Sequence, residues 1–291
     1  MMTGRSVSVV IPTLNAAEEI DELLSLLEVQ TVAPMEIIVI DSASDDGTVD
    51  RAKRHPLVRM MKIERRDFDH GGTRNEGYKQ AQGEFVLFMT QDAVPADDRL
   101  VENLLRPFED DRVALVSGRQ LPKRDARNYE RLVREFNYPT ESNVRTKDDI
   151  SRFGIKTFFS SDVCCMYRRR SLDEIGGIPT PCSTNEDMLV AARCLRWGMA
   201  ICYAADAQVF HSHNLTLREQ FNRNVAIGEF LSDHSDELEV SSEIGEGKKL
   251  VLYVLGRLIK MRDPLGICMF GCDCVARLLG NRLGRMRATS R

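Results

Sequence analysis

Short, nearly unbroken apolar runs separated by helix-forming segments dominate the first half of this chain. Val7-Ser-Val-Val-Ile11 ends at Pro12, and Glu36-Ile-Ile-Val-Ile-Asp41, Val58–Ile63, Phe85-Val-Leu-Phe-Met89 and Val113-Ala-Leu-Val116 follow. Runs of this length and β-branched content predict strands buried on both faces. Ile20, Leu23, Leu24 and Leu27 fall at i, i+3, i+4 and i+7, the spacing of one helix face. Ser44-Asp-Asp-Gly-Thr48 supplies turn and N-cap chemistry for another helix. The alternation predicts an α/β fold with a mostly parallel sheet flanked by helices. Ligands of such sheets bind beyond the carboxyl ends of the strands. The polar residues waiting there are Thr13 and Asn15, Asp41, and Gln91 with Asp92.

The stretch Gln120–Lys156 is polar and reads as an excursion carrying a helix near Tyr129–Phe136. The sheet pattern is expected to resume at Thr157-Phe-Phe-Ser-Ser-Asp162. A helix is expected from Asn185 to Trp197, and a strand ending near Val209-Phe210. Residues 246–291 then change character, with ten Lys or Arg against three acids. We read 1–245 as one catalytic domain and 246–291 as a basic amphipathic helical appendage. Its apolar blocks are too short to cross a bilayer. A basic amphipathic segment suits either an anionic membrane surface or packing on protein, including a second subunit as a homodimer.

Composition narrows the class. The net charge of −4 argues against a nucleic-acid partner. The eight cysteines form no paired C-x-x-C framework for zinc, and no secretory leader precedes them, so they are expected to be reduced and the protein cytoplasmic.

The strand-end residues suit a sugar activated on a nucleoside diphosphate. A carboxylate such as Asp41 can accept a hydrogen bond from a pyrimidine base. Arg74, in His70-Gly-Gly-Thr-Arg-Asn75, can meet a diphosphate. Asp92 can hold Mg²⁺ or Mn²⁺, with His211 as a nitrogen ligand. Asp187, opening a helix, can take a proton from a hydroxyl. Taken singly, Asp41 and Asp92 suit helix caps, Arg74 a surface ion pair, Glu186-Asp187 a helix N-terminus, and His211 an ordinary histidine. The joint arrangement points to a site.

Val7-Ser-Val-Val-Ile-Pro-Thr-Leu-Asn15, Ile40-Asp-Ser-Ala-Ser-Asp-Asp-Gly-Thr48, Gly72-Thr-Arg-Asn75 and Asn185-Glu-Asp187 together resemble the inverting glycosyltransferase family 2, with its GT-A fold. The likeness runs from about residue 6 to 215. Within it, Asp67–Asn75, Thr90-Gln-Asp-Ala93 and His211-Ser-His-Asn214 resemble the branch that uses dTDP-L-rhamnose. The resemblance implies that Thr13 and Asp41 contact the nucleotide, that Arg74 lies near the diphosphate and that Asp187 is the catalytic base. Pro12, Asn15 and Gln91 join the nucleotide-sugar set by position. Asp69, His70 and Glu186 are expected at the sugar or acceptor pocket. Asp92 matches the last acid of the family's D-x-D metal motif, but Thr90 replaces the first acid.

The expected reaction moves a sugar, in the first place L-rhamnose from dTDP-L-rhamnose, to a hydroxyl of a polysaccharide or lipid-linked glycan with inversion, in the cytoplasm or peripherally at the inner face of a membrane. Two alternatives stand beside it: the same fold using a UDP-hexose, and a catalytically inactive nucleotide-sugar-binding scaffold. A dinucleotide oxidoreductase is disfavoured because Pro12-Thr-Leu-Asn15 stands where a G-x-G-x-x-G turn is required.

Overall fold

The computed structural model describes residues 5–238 and 243–290. The elements run β1 (Val7–Thr13), α1 (Ile20–Glu28), β2 (Glu36–Asp41), α2 (Thr48–Ala52), β3 (Val58–Lys62) and α3 (His70–Gln80). Next come β4 (Phe85–Met89), β5 (Val94–Pro95), α4 (Leu100–Leu105), β6 (Val113–Leu121), α5 (Asn128–Asn137), β7 (Asn143–Arg145) and α6 (Ile150–Phe153). They end with β8 (Cys164–Arg168), α7 (Arg169–Glu174), α8 (Glu186–Arg196), β9 (Ala200–Phe210), α9 (Leu217–Asp233), α10 (Ser235–Leu238), α11 (Glu243–Lys260) and α12 (Pro264–Thr289). The chain divides into two compact units. One holds Met1–Arg119, Thr140–Asp148 and Phe159–His211; the other holds Gln120–Pro139, Asp149–Phe158 and Ser212–Arg291.

The first unit is built on a sheet of order β3-β2-β1-β4-β8-β6-β9-β5, with β7 paired to β9. β1 runs parallel to β2 and β4, and β2 parallel to β3, as the apolar runs predict. β8 enters antiparallel between β4 and β6. Ile20, Leu23, Leu24 and Leu27 of α1 are fully buried in one core with Val9, Ile11, Ile37 and Val39. Each such side chain contributes about 1.5–3 kcal/mol relative to exposure. The β1–β2 register pairs Thr13 with Asp41, so two polar residues leave the sheet side by side.

One expectation is corrected. Thr157–Asp162 does not resume the sheet: Gly154–Phe158 is a 3₁₀ turn and β8 begins only at Cys164. The polar groups of this stretch are taken by α8 instead. Ser160 Oγ donates to the Asp187 carbonyl at 2.9 Å, and Asp162 N–H to Asp187 Oδ2 at 3.1 Å.

The second unit is helical. The Thr216–Glu219 capping box opens α9, a helix the apolar pattern did not reveal. Tyr129, Leu132 and Val133 of α5 form a core with Val254 and Leu258 of α11 and Phe270 of α12. α9 and α12 pack so closely that a Cβ at Gly284 would collide with the Val225 carbonyl. The helices of 246–291 therefore belong to a larger helical unit that includes α5 and α9. No helix among the described residues is long and apolar enough to cross a membrane.

Candidate active site

At the carboxyl ends of β1 and β2, Thr13 Oγ1 lies 3.4 Å from Asp41 Oδ1 as hydrogen-bond donor. Asp41 is 1% exposed, and its Oδ2 accepts from Ser44 N–H at 3.0 Å, turning the chain after β2. Asn15 laces the neighbouring loop to this turn. Its N–H donates to Ser44 Oγ at 2.9 Å and its Oδ1 accepts from Asp45 N–H at 3.1 Å. Its φ of 51° lies in the left-handed region, which Asn tolerates better than most residues. Gln91 clamps the same loop from β4, accepting from Leu14 N–H at 2.8 Å and donating to Leu14 O at 3.2 Å.

These loops wall a cleft of about 260 Å³. Of the residues expected from sequence, Pro12, Thr13, His70, Arg74 and Gln91 line it. Ser42, Arg65, Phe68 and Thr90 line it as well and were not anticipated. Ser42 Oγ and Thr90 Oγ1 are buried without a hydrogen-bond partner among the described residues. Buried hydroxyls left in that state are poised for a ligand, since an unmet polar group costs about 1–3 kcal/mol.

Arg74 joins this cleft to a cluster of carboxylates. α3 starts with Asp69 as N-cap, whose carboxylate accepts from Gly72 N–H at 3.2 Å and Cys182 N–H at 2.7 Å. Asp69 thereby ties the 179–182 loop to α3. Gly71 permits the approach, because a Cβ there would strike the Pro179 carbonyl. One turn on, Arg74 Nη1 meets Glu186 Oε1 at 2.9 Å and His70 Nδ1 at 3.2 Å, and Nε faces Asp162 Oδ2 at 3.4 Å. Asp187 Oδ1 accepts from Met188 N–H at 2.8 Å and Oδ2 from Asp162 N–H. Tyr167 donates its hydroxyl to Asp162 Oδ1 at 2.6 Å.

Three carboxylates around one guanidinium carry unbalanced charge. Burial pushes Asp162 up to about 7; Arg74 opposes this, Glu186 adds to it, and the Tyr167 hydrogen bond opposes it. Burial, then Glu186 and Asp162, raises Asp187 well above the ordinary carboxylate range. Burial works to lower the Arg74 pKa, but Glu186 and Asp162 outweigh it and hold Arg74 protonated. A carboxylate raised in this way is suited to general-base work near neutral pH. Asp162 and Tyr167 were not anticipated. Their only sequence signal is an acid abutting the apolar Cys164–Tyr167 run.

Asp92, after β4, faces His211, after β9, with Oδ2 and Nε2 3.4 Å apart and both side chains nearly buried. One carboxylate oxygen and one imidazole nitrogen are donors that divalent cations take. The donor set therefore fits a divalent cation.

An open sheet with polar loops at the carboxyl ends of β1, β2 and β4 is shared with solved sugar-transferring enzymes of GT-A fold. A mannosyltransferase from Pyrobaculum calidifontis, solved with GDP-Man and Mn²⁺, superposes with a TM-score of 0.60 at 21% identity, covering 99% of this chain and 79% of its own. Glucosyl-3-phosphoglycerate synthase from Mycobacterium tuberculosis, solved with Mn²⁺, UDP and product, gives 0.56 at 16% identity over 82% of each chain. At these identities the likeness concerns the fold. The sequence goes further. Residues 8–176 match the family model "Glycosyl transferase family 2". The O-antigen chain rhamnosyltransferase RfbN of Salmonella typhimurium is 37% identical over 96% of this chain and 89% of its own. WbaN of Salmonella anatum, also an O-antigen chain rhamnosyltransferase, is 36% identical over the same shares. The chain belongs to glycosyltransferase family 2 and is a glycosyltransferase.

Proposed function

We propose that the protein transfers L-rhamnose from dTDP-L-rhamnose to a hydroxyl of a growing lipid-linked polysaccharide, with inversion at the anomeric carbon. The observation that carries this reading is the end-to-end likeness to two O-antigen chain rhamnosyltransferases. The nucleotide lies in the cleft over Pro12 and Thr13, with Asp41 and Gln91 holding the loops that shape it. Arg74 lends positive charge at the diphosphate end of the cleft. Asp187 accepts the proton of the acceptor hydroxyl as that oxygen attacks the face opposite the leaving diphosphate. No covalent sugar–enzyme intermediate is involved. His70 and Glu186 shape the sugar and acceptor end, and Asp69 contributes by fixing the loop that borders it.

Asp92 and His211 would hold the divalent cation, which neutralises charge on the departing diphosphate when bound. Thr90 at the first position of the metal motif leaves one carboxylate there.

The helical unit favours a membrane surface as its partner. From Gly247 to Ser290 every exposed charged side chain is basic: Lys248, Lys249, Arg257, Lys260, Arg262, Arg282 and Arg287. Leu252, Ile259, Leu265, Val275, Leu279 and Met286 are exposed among them. Each such cation contributes about 1 kcal/mol near anionic lipid. The same charges disfavour a second copy, since like faces repel. This reading places the enzyme at the inner face of the membrane, where a lipid-linked acceptor is reached.

The test is a donor panel. Purified protein is melted with dTDP-rhamnose, UDP-glucose, UDP-galactose or UDP-N-acetylglucosamine, with and without Mn²⁺. A ligand of the native state at 100 times its Kd stabilises by about 2.7 kcal/mol. The largest stabilisation is expected with dTDP-rhamnose; a preference for a UDP-sugar would replace the donor.

A further inference from the structure

The carboxylate cluster contains one acid to which the proposed reaction gives no task. Asp162 precedes β8, is 3% exposed, and is bonded on three sides. Its main-chain N–H holds Asp187 Oδ2 at 3.1 Å, its Oδ1 accepts from Tyr167 at 2.6 Å, and its Oδ2 faces Arg74 Nε at 3.4 Å. Arg74 in turn holds Glu186, the neighbour of Asp187, at 2.9 Å. Asp187 is thus held at Oδ2 by the Asp162 main chain, while the Asp162 side chain meets the same Arg74 that holds the neighbouring Glu186.

We propose that Asp162 is a positioning residue for the base: its main-chain N–H aims the Asp187 carboxylate, and its side chain, braced by Tyr167, sets the charge that Asp187 experiences. The proposal rests on the reading of Asp187 as the base. The groups facing this pocket are Glu186 and Asp187 from α8, Arg74 and His70 from α3, Tyr167 and Cys165 from β8, and Cys182 from the adjoining loop. Burial pushes both thiols up, so they are neutral and add no charge. Arg74 therefore balances three acids. Carboxylates this close in a poorly solvated pocket do not ionise independently, and protons leave the group stepwise. An ionised Asp162 makes Asp187 a stronger base than it would be alone.

The expected consequence has a sign. A base works deprotonated, so activity climbs as pH rises through its pKa. Asp162→Asn keeps the main-chain N–H and the side-chain shape but removes the charge. The acidic limb of the kcat profile then moves to lower pH by about one unit, the usual lower bound for a nearby charge. The donor KM stays within a few fold, because Asp162 does not line the nucleotide cleft. Tyr167→Phe removes the hydrogen bond that favours ionised Asp162, and moves the same limb in the same direction by less.

The experiment measures kcat and donor KM from pH 5 to 9 for the full-length wild type, D162N, Y167F and D187N, with thermal melts to establish folding. D187N is expected to be inactive; normal turnover there would sink the base reading itself. With D187N inactive, an unmoved acidic limb in folded D162N overturns the positioning proposal alone. If D162N does not fold, an unmoved limb in Y167F does so. A loss expressed wholly in donor KM would also overturn it, by placing Asp162 in donor binding.

Discussion

Arg74 on α3 and Glu186 on α8 close on each other at 2.9 Å, with both side chains almost wholly withdrawn from solvent. This contact ties the glycine-rich start of α3 to the acid pair that opens α8. Breaking a buried pair by removing one partner costs about 3–5 kcal/mol, because the other charge is left uncompensated. Arg74→Ala, which leaves Glu186 and Asp162 without their shared cation, is therefore expected to lower stability by that order in urea unfolding. Glu186→Ala should cost less, because Asp162 still faces the Arg74 guanidinium at 3.4 Å.

Asp41 is a buried acceptor for Thr13 and Ser44 at the end of β2. Asp41→Ala leaves the Ser44 N–H unmet and loosens the turn that holds Asn15. Such an orphaned donor costs about 1–3 kcal/mol. Calorimetric titration with dTDP should show affinity reduced by roughly tenfold or more, 1.4 kcal/mol being one decade.

Stability should fall as pH rises from about 4 through 7. Asp162 has an ordinary value of 3.8 and is raised to about 7 in the folded protein. Between those values the folded state binds more protons than the unfolded state, so each rise in pH favours unfolding. The stabilising effect of the proton is present in full below the unfolded value and is lost as pH passes the folded one. Thermal melts from pH 4.5 to 8 should show this decline, and D162N should flatten it.

Asp92→Asn and His211→Ala remove the two groups proposed to hold the cation, which face each other at 3.4 Å. Each is expected to weaken Mn²⁺ binding at least tenfold by calorimetry, comparable to the effect of lost outer-shell partners at other metal sites. Treatment with EDTA should depress wild-type turnover more than that of either variant.

Pairing Leu279→Glu with Met286→Glu sets two acids on the exposed basic and apolar face of α12 without touching its buried side. Co-sedimentation with vesicles containing phosphatidylglycerol should fall several fold, while the melting temperature stays near wild type. Equal binding to neutral vesicles would contradict the electrostatic part of this reading.

The sheet that positions the site was legible because β1, β2 and β4 are buried on both faces and so carry nearly continuous apolar runs. Their ends, where Thr13, Asn15, Asp41, Gln91 and Asp92 stand, follow from strand length and the place where polarity returns. α1 announces itself through one apolar face at helical spacing. What tertiary structure alone decided is which distant polar groups meet. Asp162 lies in a stretch that reads locally as a strand, yet its N–H is spent on Asp187, 25 residues on in sequence. Arg74 is withdrawn from solvent where α8 brings Glu186 and the 159–163 stretch brings Asp162 against it. Apolar periodicity reports local burial, which each segment encodes in its own residues. The partners of a buried charge are set by how remote segments are folded together, and no local pattern records them.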